Sequence, residues 1–346
     1  MHMADALISP AIGGAMWAAT AGLTVYSARK LKDDLEERSV PLMGVLGAFI
    51  FAAQMINFTI PATGSSGHLG GGMILAILLG PYAAFLTMAS VLTVQALFFG
   101  DGGLLALGCN IFNLGFWPCF FAYPFIYQKI IGSKPTQRRI LIGATLSGIV
   151  ALQLGAFGVV LETLFSGISE LPFTTFVLLM QPIHLAIGIV EGLVTTAVIT
   201  FVWKANPELV ASESSSRGIL SLKQVLAGLV VIALFTGGAL SWFASTHPDG
   251  LEWAMFHTAG KEELNTPTDR IHAYTARIQG KTSILPDYGF KENSPAGKAE
   301  NTQATTSESW PGISAGTTVA GITGGILTLA LALCIGMILR RFSRSD

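Results

Sequence analysis

The chain opens on Met1-His2, and the one other histidine in its first half is His68, inside Thr63-Gly64-Ser65-Ser66-Gly67-His68-Leu69-Gly70-Gly71-Gly72. A free Met-His end is a chelator. The α-amine of Met1, the amide nitrogen of His2 and the His2 imidazole can close two adjacent small rings around one divalent ion, with the three nitrogens in one plane. A fourth nitrogen completes a square, which suits Ni2+ or Cu2+, whereas zinc prefers a tetrahedron. Met1, His2 and His68 are therefore the candidate metal ligands. Any protein can carry histidine at position 2, so the weight of this reading depends on whether the rest of the chain brings positions 2 and 68 to one place.

Of the 346 residues, 51% are apolar and only 12% charged, with a mean hydropathy of +0.59. That is too apolar for a soluble domain and predicts an all-α fold, a polytopic helical bundle in a lipid bilayer. The net charge of -1 and the lack of a basic stripe interleaved with aromatics exclude a nucleic-acid partner. Cys109, Cys119 and Cys334 fall inside apolar runs and read as packing residues, not as a disulfide framework or a zinc cluster. Residues 1–9 contain Asp5 and no Lys or Arg, so the first apolar run reads as a retained helix, not a signal peptide. The bulk of His2 is expected to spare Met1 from removal, and with it two of the proposed donors.

Apolar runs fall near 9–27, 41–60, 71–99, 104–127, 140–165, 175–202, 223–244 and 316–340. The third is too long for one span of about 20 residues, and Gly80-Pro81 interrupts it. Links 28–40, 128–139 and 203–223 are rich in Lys and Arg, while 61–70, 100–103 and 166–174 have none. The positive-inside rule puts the first group in the cytoplasm and the second outside, and only a break at Gly80-Pro81 satisfies this for every link. The expected architecture is about seven transmembrane helices with the N-terminus outside. Met1 and the His68 loop then share the outer face.

The polar link 206–222 separates this first module, 1–205, from a second, 223–346, with two further spans and a cytoplasmic C-terminus. Between those spans runs an outer segment, 245–315, long enough to be exempt from the charge rule. It carries His247-Pro248-Asp249-Gly250-Leu251-Glu252-Trp253 and Pro286-Asp287-Tyr288, then a polar stretch from Lys291 to Glu308 that reads as disordered.

Other polar residues have competing readings. Gln54 and Asn57 near the end of the second run, and Asn110 and Asn113 in the fourth, read first as amides bonding neighbouring helices. Gln54, Asn57 or Ser66 could instead orient His68 or the N-terminus, as residues behind metal ligands do. Glu162 and Glu191 are ionisable groups inside spans, which is costly and points to a task or a partner. His184 lies seven residues before Glu191 on nearly the same helix face, and the three could form a polar seam that binds a cation, couples to a partner or holds helices together. Gly64-Ser65-Ser66-Gly67 matches the short G-x-S-G pattern of intramembrane serine proteases, with His184 as a conceivable base, but the serine sits in a flexible glycine-rich loop. Gly280-Lys281-Thr282 ends like a phosphate loop, yet Thr275 stands where that loop needs glycine. The chain carries no nucleotide site, so uphill movement of an ion would draw on a partner or an ion gradient, the latter making it a secondary carrier.

Met1-His2, Gln54-Met55-Ile56-Asn57-Phe58, Ser66-Gly67-His68 with its trailing glycines, and His184 through Gly192 together resemble the CbiM/NikM substrate-binding membrane components of energy-coupling factor transporters for cobalt and nickel, over roughly residues 1–205. The second module, with Pro248-Asp249-Gly250-Leu251-Glu252, is similar to the small accessory N component, so the chain looks like a fused M and N polypeptide. The resemblance implies coordination by Met1, His2 and His68, with Ni2+ or Co2+ as the transported ligand. It also implies a membrane coupling (T) subunit and cytoplasmic ATPase subunits as partners, in the plasma membrane of a prokaryote. Cobalt uptake for cobalamin biosynthesis is the alternative cargo route. The family's start often runs Met-His, an apolar residue, Met, Glu and Gly, whereas Met3-Ala4-Asp5-Ala6 follows here, so the residues just below the chelate differ.

Overall fold

The computed structural model of the chain describes residues 2–34, 38–169, 171–210, 219–291 and 310–343. The expectations placed on Met1, on the middle of the 206–222 link and on disorder from Lys291 to Glu308 fall, apart from Lys291 itself, outside the described residues.

Every apolar run is met by helix. The helices are α1 (Pro10–Asp34), α2 (Ser39–Gln54), α3 (Gly72–Leu79), α4 (Pro81–Val94), α5 (Leu107–Ile111), α6 (Gln128–Ile131), α7 (Gln137–Ser166), α8 (Phe173–Ala205), α9 (Leu222–Gly238), α10 (Gly250–Ala259), α11 (Arg270–Thr282) and α12 (Ala315–Ser343). A π-helical stretch, Phe112–Tyr127, joins α5 to α6, and a π turn, Gln95–Phe99, prolongs α4. Pro81–Phe99, α7, α8 and Ala315–Phe342 are long and apolar enough to cross a membrane, and α2 and α9 are shorter apolar helices. Phe165, Leu178, Leu193, Phe201 and Phe235 stand well exposed on these helices, an apolar exterior that fits lipid and not water.

The third run is broken where Gly80-Pro81 predicts. Gly80 takes φ +76° and Pro81 occupies the first helical position of α4. The first half, however, is only eight residues of helix, about 12 Å at 1.5 Å per residue, and well short of a hydrocarbon core of about 30 Å. The chain leading into it, 65–71, is non-helical and is buried in protein apart from a partly exposed Leu69. Buried non-helical backbone has to find hydrogen-bond partners inside the molecule, and those partners turn out to shape the site.

The second module is packed against the first along α2. Val40 lies against Gly336, Leu333 against Gly44, Thr328 against Gly47 and Phe51 against Gly324, so that a methyl group added at Gly44 would stand 2.6 Å from Leu333. Close approach at small residues drives helix association in lipid. The segment between α9 and α12 is not a plain loop. It contains α10, opened by a reciprocal cap between Asp249 and Glu252, and α11, capped by Asp269. Both helices contact the first module through bonds described next.

Candidate metal centre

The N-terminal arm, residues 2–8, is buried from Met3 to Ile8 except at Ala4. Asn110 clasps it: its Oδ1 accepts from the Met3 amide at 2.8 Å and its Nδ2 donates to the Met3 carbonyl at 3.2 Å. The same carbonyl accepts from Gly103 N at 2.9 Å. Asp5 turns its carboxylate onto the amides of Leu105 (2.8 Å) and Ala106 (3.0 Å), and Gly103 lies so close to Asp5 that no side chain fits there. From the second module, α11 closes over this arm. His272 Nε2 donates to the carbonyls of Asp5 and Ile8, at 3.1 and 3.0 Å, and Thr275 donates to Asp5 Oδ2 at 2.8 Å.

The His68 loop is held differently. An antiparallel hairpin, β1 (Phe58–Ile60) with β2 (Ser65–Gly67), brings the chain back toward α3. After His68, the amides of Gly70 and Gly71 donate to the two oxygens of Glu191 on α8, at 2.7 and 2.9 Å. The Gly70 carbonyl accepts from Gln54 Nε2 at 2.8 Å, and Gln95 Nε2 in turn donates to Gln54 Oε1 at 2.8 Å. A Cβ at Gly67 would stand 2.5 Å from Ile187, which is why this loop can lie flat on α8. From the second module, Ser66 donates from its amide to the Pro248 carbonyl and from its hydroxyl to the His247 carbonyl, both at 2.8 Å, and Trp253 donates its indole N–H to the Thr63 carbonyl at 2.9 Å.

These two supports stack the His2 and His68 rings in parallel, with centroids 4.9 Å apart and planes 6° from each other. His68 Nδ1 donates to the Leu69 carbonyl at 3.1 Å, which fixes the tautomer and leaves Nε2 with its lone pair. Burial above all, with the positive charge of His2 among the neighbours, pushes the His68 imidazole down to about 3. His2 Nδ1 lies 3.0 Å from Asp101 Oδ1, and its buried Nε2 has no partner among the described residues. The Tyr288 hydroxyl holds the other oxygen of Asp101. Burial works to raise that carboxyl, but His2 and Tyr288 outweigh it and hold it below the usual carboxylate range. Among the described residues no three His, Cys, Asp or Glu side chains converge as a closed metal cage. A metal at this point would have to take backbone nitrogen as well, which is the chemistry a Met-His start offers.

The residues singled out in the sequence are distributed as follows. His2 and His68 are brought together; Met1 lies outside the described residues. Gln54 reaches the His68 loop through the Gly70 carbonyl, while Asn57 enters through its own carbonyl, which accepts from Ser245 N at 2.7 Å. Ser66 does not orient His68: its hydroxyl points to the second module. Nor is it paired with His184, whose Nδ1 donates to the Met180 carbonyl at 2.8 Å, so the protease reading finds no serine–histidine couple. His184 and Glu191 do not form a seam with Glu162, which accepts instead from Asn113 Nδ2 at 2.8 Å. Glu191 anchors the loop, and His184 lines a small cavity with His68 and Asp249. The sequence reading missed Asp101, Gln95, His272 and Tyr288 as parts of this region. The one available signal was an aspartate set among glycines, Gly100-Asp101-Gly102-Gly103, directly after an apolar helix.

Residues 2–209 match the CbiM family, described as the cobalt uptake substrate-specific transmembrane region, and residues 223–341 match the PDGLE domain. Along its whole length the chain is similar to a putative fused nickel transport protein NikMN of Archaeoglobus fulgidus, 31% identical with 100% of each chain covered. It is also similar to a fused nickel transport protein NikMN of Rhodobacter capsulatus, 33% identical over 86% of this chain and 91% of that one. Among solved structures, a transition metal transporter superposes with a TM-score of 0.53 at 31% identity, covering 60% of this chain and 95% of the other.

Proposed function

The chain belongs to the CbiM family of transition-metal transport proteins, with a PDGLE domain following in the same polypeptide, and from that premise we propose that it is the substrate-capturing subunit of an ATP-driven importer for Ni2+. The observation that carries this reading is the parallel stack of His2 on His68, which brings the second residue of the chain and the glycine-rich loop to one place. The ion is held in a nearly planar square by the Met1 amine, the His2 amide and imidazole, and His68. In this reading the N-terminus and the His68 loop face the outside of the plasma membrane and the C-terminus the cytoplasm. A coupling subunit in the membrane and ATPase subunits in the cytoplasm supply the work, and this chain performs no catalysis.

Two steps follow from the chemistry. The α-amine, with an ordinary pKa of about 7.7 to 8.0, must lose its proton to bind metal, so capture releases protons and weakens in acid. The ring nitrogen able to close a small chelate ring with the His2 amide is Nδ1, the atom now on Asp101. Capture therefore exchanges the Asp101 contact for the ion. A divalent ion moving inward gains roughly 2.3 kcal/mol per charge per 100 mV, but a tight chelate resists release, and ATP-driven rearrangement opens it.

Nickel is favoured over cobalt because a planar site with a deprotonated amide suits low-spin Ni2+, and because the relatives matched along both modules are named for nickel. Cobalt is the second reading, supported by the description of the family that matches residues 2–209. The test is nickel binding by the purified chain with its native start and with one residue added before Met1. The addition blocks the amine and leaves His2 and His68 untouched. Loss of the planar-nickel absorption band and a fall in affinity of at least about 100-fold, the most that loss of a residue behind a ligand typically costs, is the expected result for a blocked ligand; unchanged affinity sinks the chelate.

A further inference from the structure

The His2–His68 stack lies at the margin of a wide cavity of about 1070 Å³, walled by both modules. Among the described residues seven Asp and Glu side chains line it, and no Lys or Arg does. Five of the seven, Asp249, Glu252, Glu262, Glu263 and Asp287, belong to the segment between α9 and α12. Glu262, Glu263 and Asp287 are exposed and free to turn. A solvated acidic surface would account for the sign of the charge alone. It would not account for a second feature: the same cavity is lined by His2, whose side chain is only 7% exposed and whose Nε2 has no partner among the described residues.

We infer that this cavity is an electrostatic vestibule, which gathers a hydrated divalent cation at Glu262 and Glu263 and passes it down to His2. The inference rests on the nickel-binding reading above and adds a route and a role for the second module. An ion with six waters occupies about 180 Å³, at about 30 Å³ of liquid per water, so the vestibule admits it with its shell complete. By contrast, the small cavity beside His68 and His184 measures about 10 Å³, room for about one water and so only for an ion already stripped. Carboxylates walled in by low-dielectric protein focus their field along the cleft, raising local cation concentration and association rate. Glu262 and Glu263 act on the ion at a distance and do not ligate it in its final site. Their contribution is to the rate of arrival, so it is screened by salt and leaves departure alone. Lys261, next to them in sequence, does not line the cavity.

The experiment uses the full chain in nanodiscs, with the double substitution Glu262→Gln and Glu263→Gln. Nickel association is followed by stopped-flow tryptophan fluorescence at a series of salt concentrations, and dissociation by a chelator chase. At low salt the variant should associate about three- to ten-fold more slowly, at the lower edge of steering effects. The difference should vanish near 0.5 M salt, where the Debye length is only about 4 Å, and the dissociation rate should match the parent. Equal association rates at low salt overturn the vestibule. So does a loss that persists at high salt, or a faster dissociation, since either would mean direct ligation or a disturbed fold. Lys261→Gln gives the opposite sign, a modest acceleration at low salt, and an unchanged or slower rate counts against steering. Failure here is separable from failure of the chelate: the chain extended before Met1 tests the square by affinity, and the glutamate variants test the route by salt dependence.

Discussion

The two arms that bring His2 and His68 together share one device, a carboxylate on two adjacent amides, but fasten it to different parts of the molecule. The His68 loop is bolted to a long helix: two adjacent amides meet one carboxylate, Glu191, and the backbone lies flat on Ile187 and Ile50 because Gly67 and Gly71 have no side chains. The His2 arm has a carboxylate fastening too, but it is its own Asp5, set on the adjacent amides of Leu105 and Ala106 in a loop and not on a long helix. It is threaded between the 100–106 loop and α11, held on the one side by Asn110 and the Asp5 carboxylate and on the other by His272 and Thr275 of the second module. One ligand is tied to a long helix of the first module; the other is tied to a loop and to α11 of the second. Capture by this pair would then join a ligand anchored on a helix to one anchored between the two modules.

The contrast is broken or sharpened by substitution. The largest effect is expected from Glu191→Ala, which strands the Gly70 and Gly71 amides in a dry place at about 1–3 kcal/mol each. Nickel affinity should fall by about 100-fold or more on that basis, with a lower melting temperature, and Glu191→Gln should restore part of both. Next comes Asn110→Ala, which removes both bonds of the Met3 clasp; an affinity loss of about 10- to 100-fold is expected from the same magnitudes. Its distinguishing readout is faster chemical labelling of the α-amine, a change that Glu191→Ala should not produce. If both variants expose the amine equally, the two arms are one unit and the comparison falls.

His272→Ala acts on the His2 arm from the second module alone and should cost about five-fold in affinity, close to one hydrogen bond, while the His68 loop, probed by cysteine labelling at Leu69, stays protected. Tyr288→Phe frees one oxygen of Asp101 and should change affinity about two- to three-fold, the smallest effect of the series and at the low end for one hydrogen bond. The His68 arm also has a pH signature. His68 is lowered to about 3 in the folded chain against about 6.5 in an unfolded one. The unfolded chain therefore binds the extra proton first, and the stabilisation present above about pH 6.5 drains away as the pH falls toward 3. Melting temperature without metal should drop across that window, and His68→Gln should flatten the drop.

Legibility followed length scale. The helices, the break at Gly80-Pro81 and the pairing of positions 2 and 68 could be read because each rests on a local pattern or on one topological rule. The depth of the His68 loop could not. It depends on Glu191, 121 residues from Gly70, donating nothing to the hydrophobic pattern that reveals helices. Glu191 and His184 were visible as expensive residues in a span, but their position in the membrane is set by packing of α7 on α8, where Gly188 meets the backbone of Ile149. Ser66 looked like a residue behind His68 because the two are neighbours in sequence; its hydroxyl instead meets residues 181 positions away. The whole contribution of α11 was hidden, since an exposed amphipathic helix between two spans reads as polar linker until His272 is seen on the carbonyls of Asp5 and Ile8.

The ladder of small residues between α2 and α12 has one more consequence. Because Gly44, Gly47, Gly324 and Gly336 let the two helices touch along their length, the halves of the polypeptide cohere through lipid-phase packing whether or not a peptide connects them. Two separate proteins cut between Val210 and Ile219 should copurify and rebuild the same assembly, with the covalent tether setting only an effective concentration. Fusion then works as a guarantee of stoichiometry: each capture subunit is born with its own clamp and never competes for one.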